Sequence, residues 1–326
     1  MPAEWAEHER TWMAYPPGLY EGTEASLSDV RATWAKVARA VAEFEPVSML
    51  VTPDARADGQ LVLGDDVTWV RTEFDDSWAR DSMPAFVKNA EGTLLAVDWT
   101  FNGWGMQEWA TWGLDDAIPE RIAKNLRIAR YQTDFVNEGG AIEVDGTGRI
   151  LITKTVQLDP GRNPTTTAAD VEKVLADTLG VNAVTWFERG LTGDYEGFGT
   201  KGHVDAIAKF VAPGVAVYHD QRNEDHPDFA VSRALRETLE SAGIEAVPLV
   251  APERVSVDGH VCDWTYVNCY FVNGGLVLGV YDDPSDDAAI ATLRSLLPGR
   301  TISTVDARPI FALGGGVHCI TMQQPK

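Results

Sequence analysis

Apolar residues along this chain recur in two alternating rhythms. Between residues 27 and 44, Val30, Trp34, Val37, Val41 and Phe44 fall at i, i+4, i+7, i+11 and i+14, one face of an amphipathic helix. Short runs rich in β-branched residues bracket such helices, and the same order recurs: strand, glycine turn, strand, helix, strand. Residues 138–189 give AIEV, a turn at Asp145-Gly146, ILITKTV, the helix-like TAADVEKVLADTLG and AVTWF. Residues 203–250 repeat it with HVDAIAKFV, Pro213-Gly214, VAVYH, FAVSRALRETLESAG and EAVPLV. A third copy starts at Tyr266 with VNCYFV, Asn273-Gly274, LVLGV, DDAAIATLRSLL and TISTVDA. Residues 81–135 make another, with PAFVK and LLAVDW on either side of Glu91-Gly92 and a helix at IPERIAKNL.

The fifth copy is split between the termini. GVHCITM near the C-terminus supplies its first strand, and ERTWMAY, the helix SDVRATWAKVARAVAEF and VSMLV near the N-terminus supply the rest. An array whose last module is completed by both ends of the chain predicts a closed ring, which leaves no exposed edge and needs no capping repeats. The fold expected is therefore α/β, five ββαβ modules closed as a ring, against the simpler reading of an ordinary mixed α/β domain. No Pro/Gly/Ser linker interrupts residues 1–326, so a single domain is expected.

Composition narrows the function. The chain of 326 residues carries 49 acidic and 27 basic side chains, a formal charge of −22. A field of that sign repels nucleic acid and anionic lipid and attracts small cations. There is no apolar run long enough to span a bilayer and no secretory leader pattern at the start, so a cytoplasmic protein without a membrane partner is expected. Three cysteines, Cys262, Cys269 and Cys319, form no CxxC pair, which argues against a disulfide framework or structural zinc. Homo-oligomerisation stays open.

Reactive side chains cluster at the start of the first strand in four modules. These are Asp81 in WARDS, Glu138 in VNEGG, His203 and Asp205 in GHVD, and Cys319 in GGGVHC. Equivalent positions in a ring face one axis, so a thiol, an imidazole and three carboxylates are expected in one pocket, beside glycines that permit close backbone approach. His203 and Asp205, two residues apart on a strand, share a face; His318, adjacent to Cys319, points away from it and is not expected to act as the base. Cys269, among aromatic and apolar neighbours, reads as a core thiol. HVD offers two metal ligands and no HxxxH or paired histidine motif completes them, so a metal site is not expected there. The acidic run Asp282, Asp283, Asp286 and Asp287 reads as a helix N-terminus. Trp78, Trp99, Phe101 and Trp104 either line a pocket for an alkyl chain or cation or pack in the core.

The ordered motifs MPAEWAEHERTWMAYP, DSWARDSMPAFV, VDWTFNGWG, VNEGGAIEVDG, LDPGRNP, GHVD, YVNCYFVNGG and GGGVHCITMQQP resemble the agmatine deiminase family, which is similar to bacterial peptidylarginine deiminases. The resemblance spans nearly the whole chain. It implies the five-bladed α/β-propeller of guanidine-modifying enzymes, with Cys319 as nucleophile, His203 as general acid/base, Glu138 and Asp205 as their partners and Asp81 as substrate clamp; Asp205 fits the same clamp, Glu138 suits contact with both the guanidinium and His203, and the chemistry so implied needs no metal or organic cofactor. The implied reaction converts agmatine to N-carbamoylputrescine and ammonia through a cysteine thiouronium, and the implied partner is a small cationic guanidine. Arginine-like or peptidyl-arginine substrates, a metal-dependent ureohydrolase and a non-catalytic polyamine-binding protein are the competing readings. Met83, Asn137, Lys201 and the short GGGVHC loop depart from the family pattern. Lys201, two residues before His203, is expected at the pocket mouth, where it would repel a substrate amine and attract a carboxylate, unless it extends into solvent.

Overall fold

Every repeat read from the sequence forms its own small sheet. The computed structural model describes residues 1–19, 23, 25–257 and 259–326. In the first repeat Ala85–Lys88 runs antiparallel to Leu94–Thr100, the helix Ile118–Leu126 crosses over, and Ala129–Val136 returns parallel to Leu94–Thr100. The second uses Glu143–Val144, Arg149–Thr153, the helix Ala168–Leu179 and Ala183–Phe187 in the same way. The third is Ala208–Ala212, Val215–Asp220, Asp228–Ser241 and Glu245–Val250. The fourth is Tyr270–Val272, Gly275–Val280, Asp286–Leu296 and Thr301–Asp306. In the fifth, Met322–Pro325 pairs antiparallel with His8–Ala14, the helix Leu27–Ala42 follows, and Val47–Val51 pairs parallel to His8–Ala14. The protein is thus a mixed α/β structure in which a hairpin and one right-sized crossover are repeated.

Local chemistry accounts for these boundaries. The hairpin turns place Gly214 and Gly274 at φ +70° and +74°, a region closed to most side chains. Thr167 and Asp170 cap the helix Ala168–Leu179 reciprocally, and Gly180 ends it at φ +71°. On Leu27–Ala42 the apolar face is buried as the spacing predicts, with Trp34 meeting Trp78 edge-on at 5.8 Å. Asp286 and Asp287 do begin a helix, and Asp286 also accepts the Tyr281 amide and the Tyr266 hydroxyl. Among the described residues no helix is long and apolar enough to cross a membrane.

Three features differ from the sequence reading. The fifth sheet has a fourth strand, Thr68–Arg71, reached through the helix Arg56–Leu63, and a two-stranded hairpin, Ser256–Val257 with His260–Val261, lies outside the repeats. The first strands also start later than expected. Residues 203–207 and 317–320 are turns, and the strands begin at Ala208 and Met322. The reasoning that placed His203 with Asp205, and His318 opposite Cys319, by strand alternation therefore does not hold; a turn sets those directions.

One buried carboxylate ties the repeats together. Glu4 Oε1 lies 2.9 Å from Lys209 Nζ and accepts the Phe271 amide, while its Oε2 lies 2.7 Å from His318 Nε2 and 3.5 Å from Arg80. Lys209, 1% exposed, also stands 3.7 Å from Glu143. Burial alone would raise the Glu4 carboxyl, but Lys209, His318 and Arg80 hold it well below the usual carboxylate range. Lys209→Met leaves two buried carboxylates without their shared cation, so it should destabilise the fold by about 3–5 kcal/mol. Urea unfolding of the two proteins measures this; a loss below about 1 kcal/mol would show that the cluster relaxes or hydrates instead.

Candidate active site

The turns that precede the five first strands meet one another. Arg80 N–H donates to the carbonyl of Cys319 at 3.0 Å, Gly140 N–H donates to Asp81 Oδ1 at 2.9 Å, and His203 Nε2 lies 3.3 Å from Glu138 Oε2. Asn268 Nδ2 donates to the Asp205 carbonyl at 3.4 Å and to Cys319 Sγ at 3.3 Å. These contacts lead from the first repeat to the second, third, fourth and fifth and back to the first. Each repeat supplies at least one side chain: Asp81, Glu138, His203 with Asp205, Asn268, and Cys319.

All of them are buried, and the gap they surround is narrow. A Cβ placed on Gly140 would lie 2.5 Å from His203 Nδ1, 3.0 Å from Asp81 Oδ1 and 3.1 Å from Asp205 Oδ2. Glycine at that position is what lets three charged groups converge on one spot. Cys319 Sγ is 3.7 Å from Asp205 Oδ2 and 3.6 Å from Asn268 Oδ1, and Asn268 Oδ1 is fixed by the His318 amide at 3.0 Å.

The electrostatics follow from this crowding. Burial lowers the affinity of His203 for a proton, but the Asp81 and Glu138 carboxylates outweigh it and carry its pKa up to about 9. Burial would raise Glu138; Arg162 and His203 hold it at about 2. Asp81 is raised by burial, with its Asp205 and Glu138 neighbours adding to the effect. Asp205 is lowered despite burial, chiefly by His318, whose Nδ1 lies 2.8 Å away. Burial and the carboxylates of Asp205 and Asp81 push the Cys319 thiol well above its ordinary value, so in this state the sulfur is protonated. Cys262 and Cys269 are raised to about 12, chiefly by burial.

Asp81, Glu138, His203, Asp205 and Cys319 are therefore brought together as expected. Trp104 joins them differently: its Nε1–H donates to Asp81 Oδ2 at 2.9 Å while its ring stacks on Trp109 at 5.1 Å. Trp104 holds this position from a left-handed turn, Gly103 to Met106, whose φ values run +66°, +56°, +85° and +59°. Trp78 is buried against Trp34, with Gly315 wedged between its ring and Cys319 Cβ, and its other flank lines a surface pocket with Asp75 and Asp76. Lys201 pairs with Asp159 at 3.5 Å, about one-third exposed.

Sequence reasoning passed over Asn268, Arg162, Arg80 and Glu4. Each lies inside a quoted motif, but an amide beside Cys269 and an arginine in a PGRNP turn carry no signal of burial. His318 was set aside as the base and is instead clamped between Asp205 and Glu4, by 2.8 and 2.7 Å contacts. Among the described residues no group of three or more His, Cys, Asp or Glu is arranged to hold a metal ion.

Comparison with known proteins gives the family. The chain is 47% identical to a Streptomyces avermitilis protein named "Putative agmatine deiminase", covering 100% of this chain and 97% of that one. It is 34% identical to the agmatine deiminase of Pseudomonas aeruginosa, covering 100% and 95%. The solved agmatine deiminase of Enterococcus faecalis superposes with a TM-score of 0.92 at 28% identity, covering 100% of this chain and 95% of that one. Residues 1–325 match the model of the Porphyromonas-type peptidyl-arginine deiminase family, and the chain belongs to that family.

Proposed function

We propose that this chain hydrolyses agmatine to N-carbamoylputrescine and ammonia through a covalent bond to Cys319. The observation that carries the reading is the convergence of a thiol, an imidazole that is protonated at neutral pH and two carboxylates around the gap at Gly140. A guanidinium is planar and permanently charged, so Asp81 and Asp205 can hold it from two sides and present its carbon to sulfur. Its charge offsets the two carboxylates that keep the thiol protonated, which favours loss of the thiol proton to solvent as substrate binds, His203 being already protonated. The thiolate attacks the guanidino carbon. His203 gives its proton to the departing nitrogen, ammonia leaves, and a thiouronium remains on Cys319. Now neutral, His203 takes a proton from water as the oxygen adds to the same carbon, and collapse returns the sulfur and leaves the ureido product. Glu138 holds the imidazole ring in place throughout and steadies it whenever it carries the second proton.

The five repeats are read as the blades of a closed five-bladed propeller, with residues 1–326 acting as one catalytic unit. The hydrogen-bonded circuit through the five leading turns supports it, as does the pairing of Met322–Pro325 with His8–Ala14. Three unpaired, buried cysteines suit a reducing cytoplasmic setting. Trp78 and Trp104 border the reacting groups, Trp78 from across Gly315 and Trp104 through Asp81. Agmatine is favoured over a carboxylate-bearing guanidine because Asp159 already answers the charge of Lys201, which reduces its repulsion of a substrate amine.

A panel of guanidines assayed for ammonia, ureido product and urea tests the reading. Cys319→Ser should abolish turnover of agmatine, Cys262→Ser and Cys269→Ser should not, and quenched wild-type protein should carry the adduct on the Cys319 peptide by mass spectrometry. An active Cys319→Ser, or urea as product, would refute it.

Asp205→Asn separates the clamp from the thiol. Removing the charge 3.7 Å from sulfur lowers the thiol pKa, so alkylation of Cys319 by iodoacetamide at pH 8 should accelerate about tenfold. In the same variant kcat/KM for agmatine should fall by about 2–5 kcal/mol of transition-state stabilisation, because a charged substrate contact is gone. Slower alkylation together with retained activity would place Asp205 outside both roles.

A further inference from the structure

Arg162 is the group on which the Glu138–His203 pair rests. Its side chain is fully buried, as is that of Glu138, and its Nε donates to Glu138 Oε1 and Oε2 at 2.9 and 3.1 Å. Nη1 donates to Asp159 Oδ2 at 2.9 Å, and Nη2 donates to the Thr200 carbonyl at 2.8 Å. Every edge of the guanidinium therefore has an acceptor. Two of these acceptors matter for His203. Glu138 faces its Nε2, and Thr200 lies three residues before it in a segment that Asp194 fixes through the amides of Thr200, Gly202 and His203. Arg162 thus sets the distance between the carboxylate and the imidazole from both sides.

The same contacts decide where a second guanidinium can go. Glu138 is a carboxylate in a site read as guanidine-binding, yet Arg162 covers both its oxygens and His203 shares Oε2. Asp81 and Asp205, by contrast, face the gap at Gly140. We propose that Arg162 is a positioning residue of the reaction: a resident guanidinium that holds Glu138 for His203 and keeps it from competing for the substrate, which is left to Asp81 and Asp205. This rests on the guanidine-hydrolase reading above. The charged groups around the assembly are Asp159 and, beyond it, Lys201 on the outer side, with Asp81, Asp194 and Asp205 around His203.

The test uses the full chain with Arg162→Met, Arg162→Lys and Arg162→Gly. Arg162→Met should lower kcat for agmatine about 100-fold, the scale of a misplaced proton donor, with KM changed less than threefold. Arg162→Lys should recover at least tenfold of that loss, because it restores the cation but not the two-sided grip. In Arg162→Gly, millimolar guanidinium chloride should restore part of the turnover and raise the unfolding temperature by more than it does in wild type, where the same ion competes with substrate. Should Arg162→Met fail to fold, the lysine and glycine variants carry the same comparison. A kcat within threefold of wild type, a loss confined to KM, or no extra effect of guanidinium on Arg162→Gly would overturn the proposal. If wild type converts no guanidine, the functional reading fails separately, and stabilisation of Arg162→Gly by guanidinium still decides whether Glu138 holds a resident guanidinium.

Discussion

Burying several carboxylates in one small volume is the constraint that organises this molecule. Left alone, each would cost several kcal/mol or take up a proton. The fold answers with cations at fixed places, and the answers differ by position. Glu4 has Lys209, His318 and Arg80, and Glu138 has Arg162 and His203. Both are held below the usual carboxylate range. Asp81 differs from these two: burial raises it, and apart from the His203 ring at 3.9 Å its partners are the neutral donors Gly140 and Trp104. Asp81, facing the gap, is thus less fully compensated than Glu4 or Glu138, and a cation arriving there would complete the balance.

The repeats make such a centre possible. A single hairpin-helix-strand unit buries little, and its leading turn would be an exposed loop. With the five leading turns joined, each turn is packed by its neighbours, and its backbone groups serve as donors and acceptors between repeats. Arg80 shows how the two layers interlock: its amide meets the Cys319 carbonyl while its guanidinium reaches the His318 carbonyl, Gln323 and Glu4. Charge compensation on one side of the turn and positioning of the thiol on the other are done by the same residue.

Sequence made the repeats legible because their periodicities are strong and their turns carry glycine. It marked Asp81, Glu138, His203 with Asp205, and Cys319 for one pocket because they fall at one place in four of the five repeats, and it missed Asn268 in the other. It misjudged their local conformation, since apolar alternation in HVDAIAKFV continues smoothly from a turn at 203–207 into the strand Ala208–Ala212. The missed residues share a different cause. Nothing local marks Arg162 as buried, because its neighbours Gly161, Asn163 and Pro164 spell a surface turn, and only contact with Glu138, 24 residues away, takes it inside. Thr68–Arg71 was passed over as well: it is short, and two of its four side chains are exposed.

The thiol shows what this arrangement does for chemistry. A cysteine beside a cationic group would be ionised at rest and open to any electrophile or oxidant. Here Asp205 and Asp81 flank Cys319, and the His203 imidazolium is already engaged by Glu138. The sulfur stays protonated until something neutralises the two aspartates. In the proposed reaction a guanidinium does so while placing its carbon next to the sulfur, which a neutral amine or an anion would not. Recognition and activation are then one event, and the negative charge that makes the empty site costly is what reserves its reactivity for a cation of the right shape.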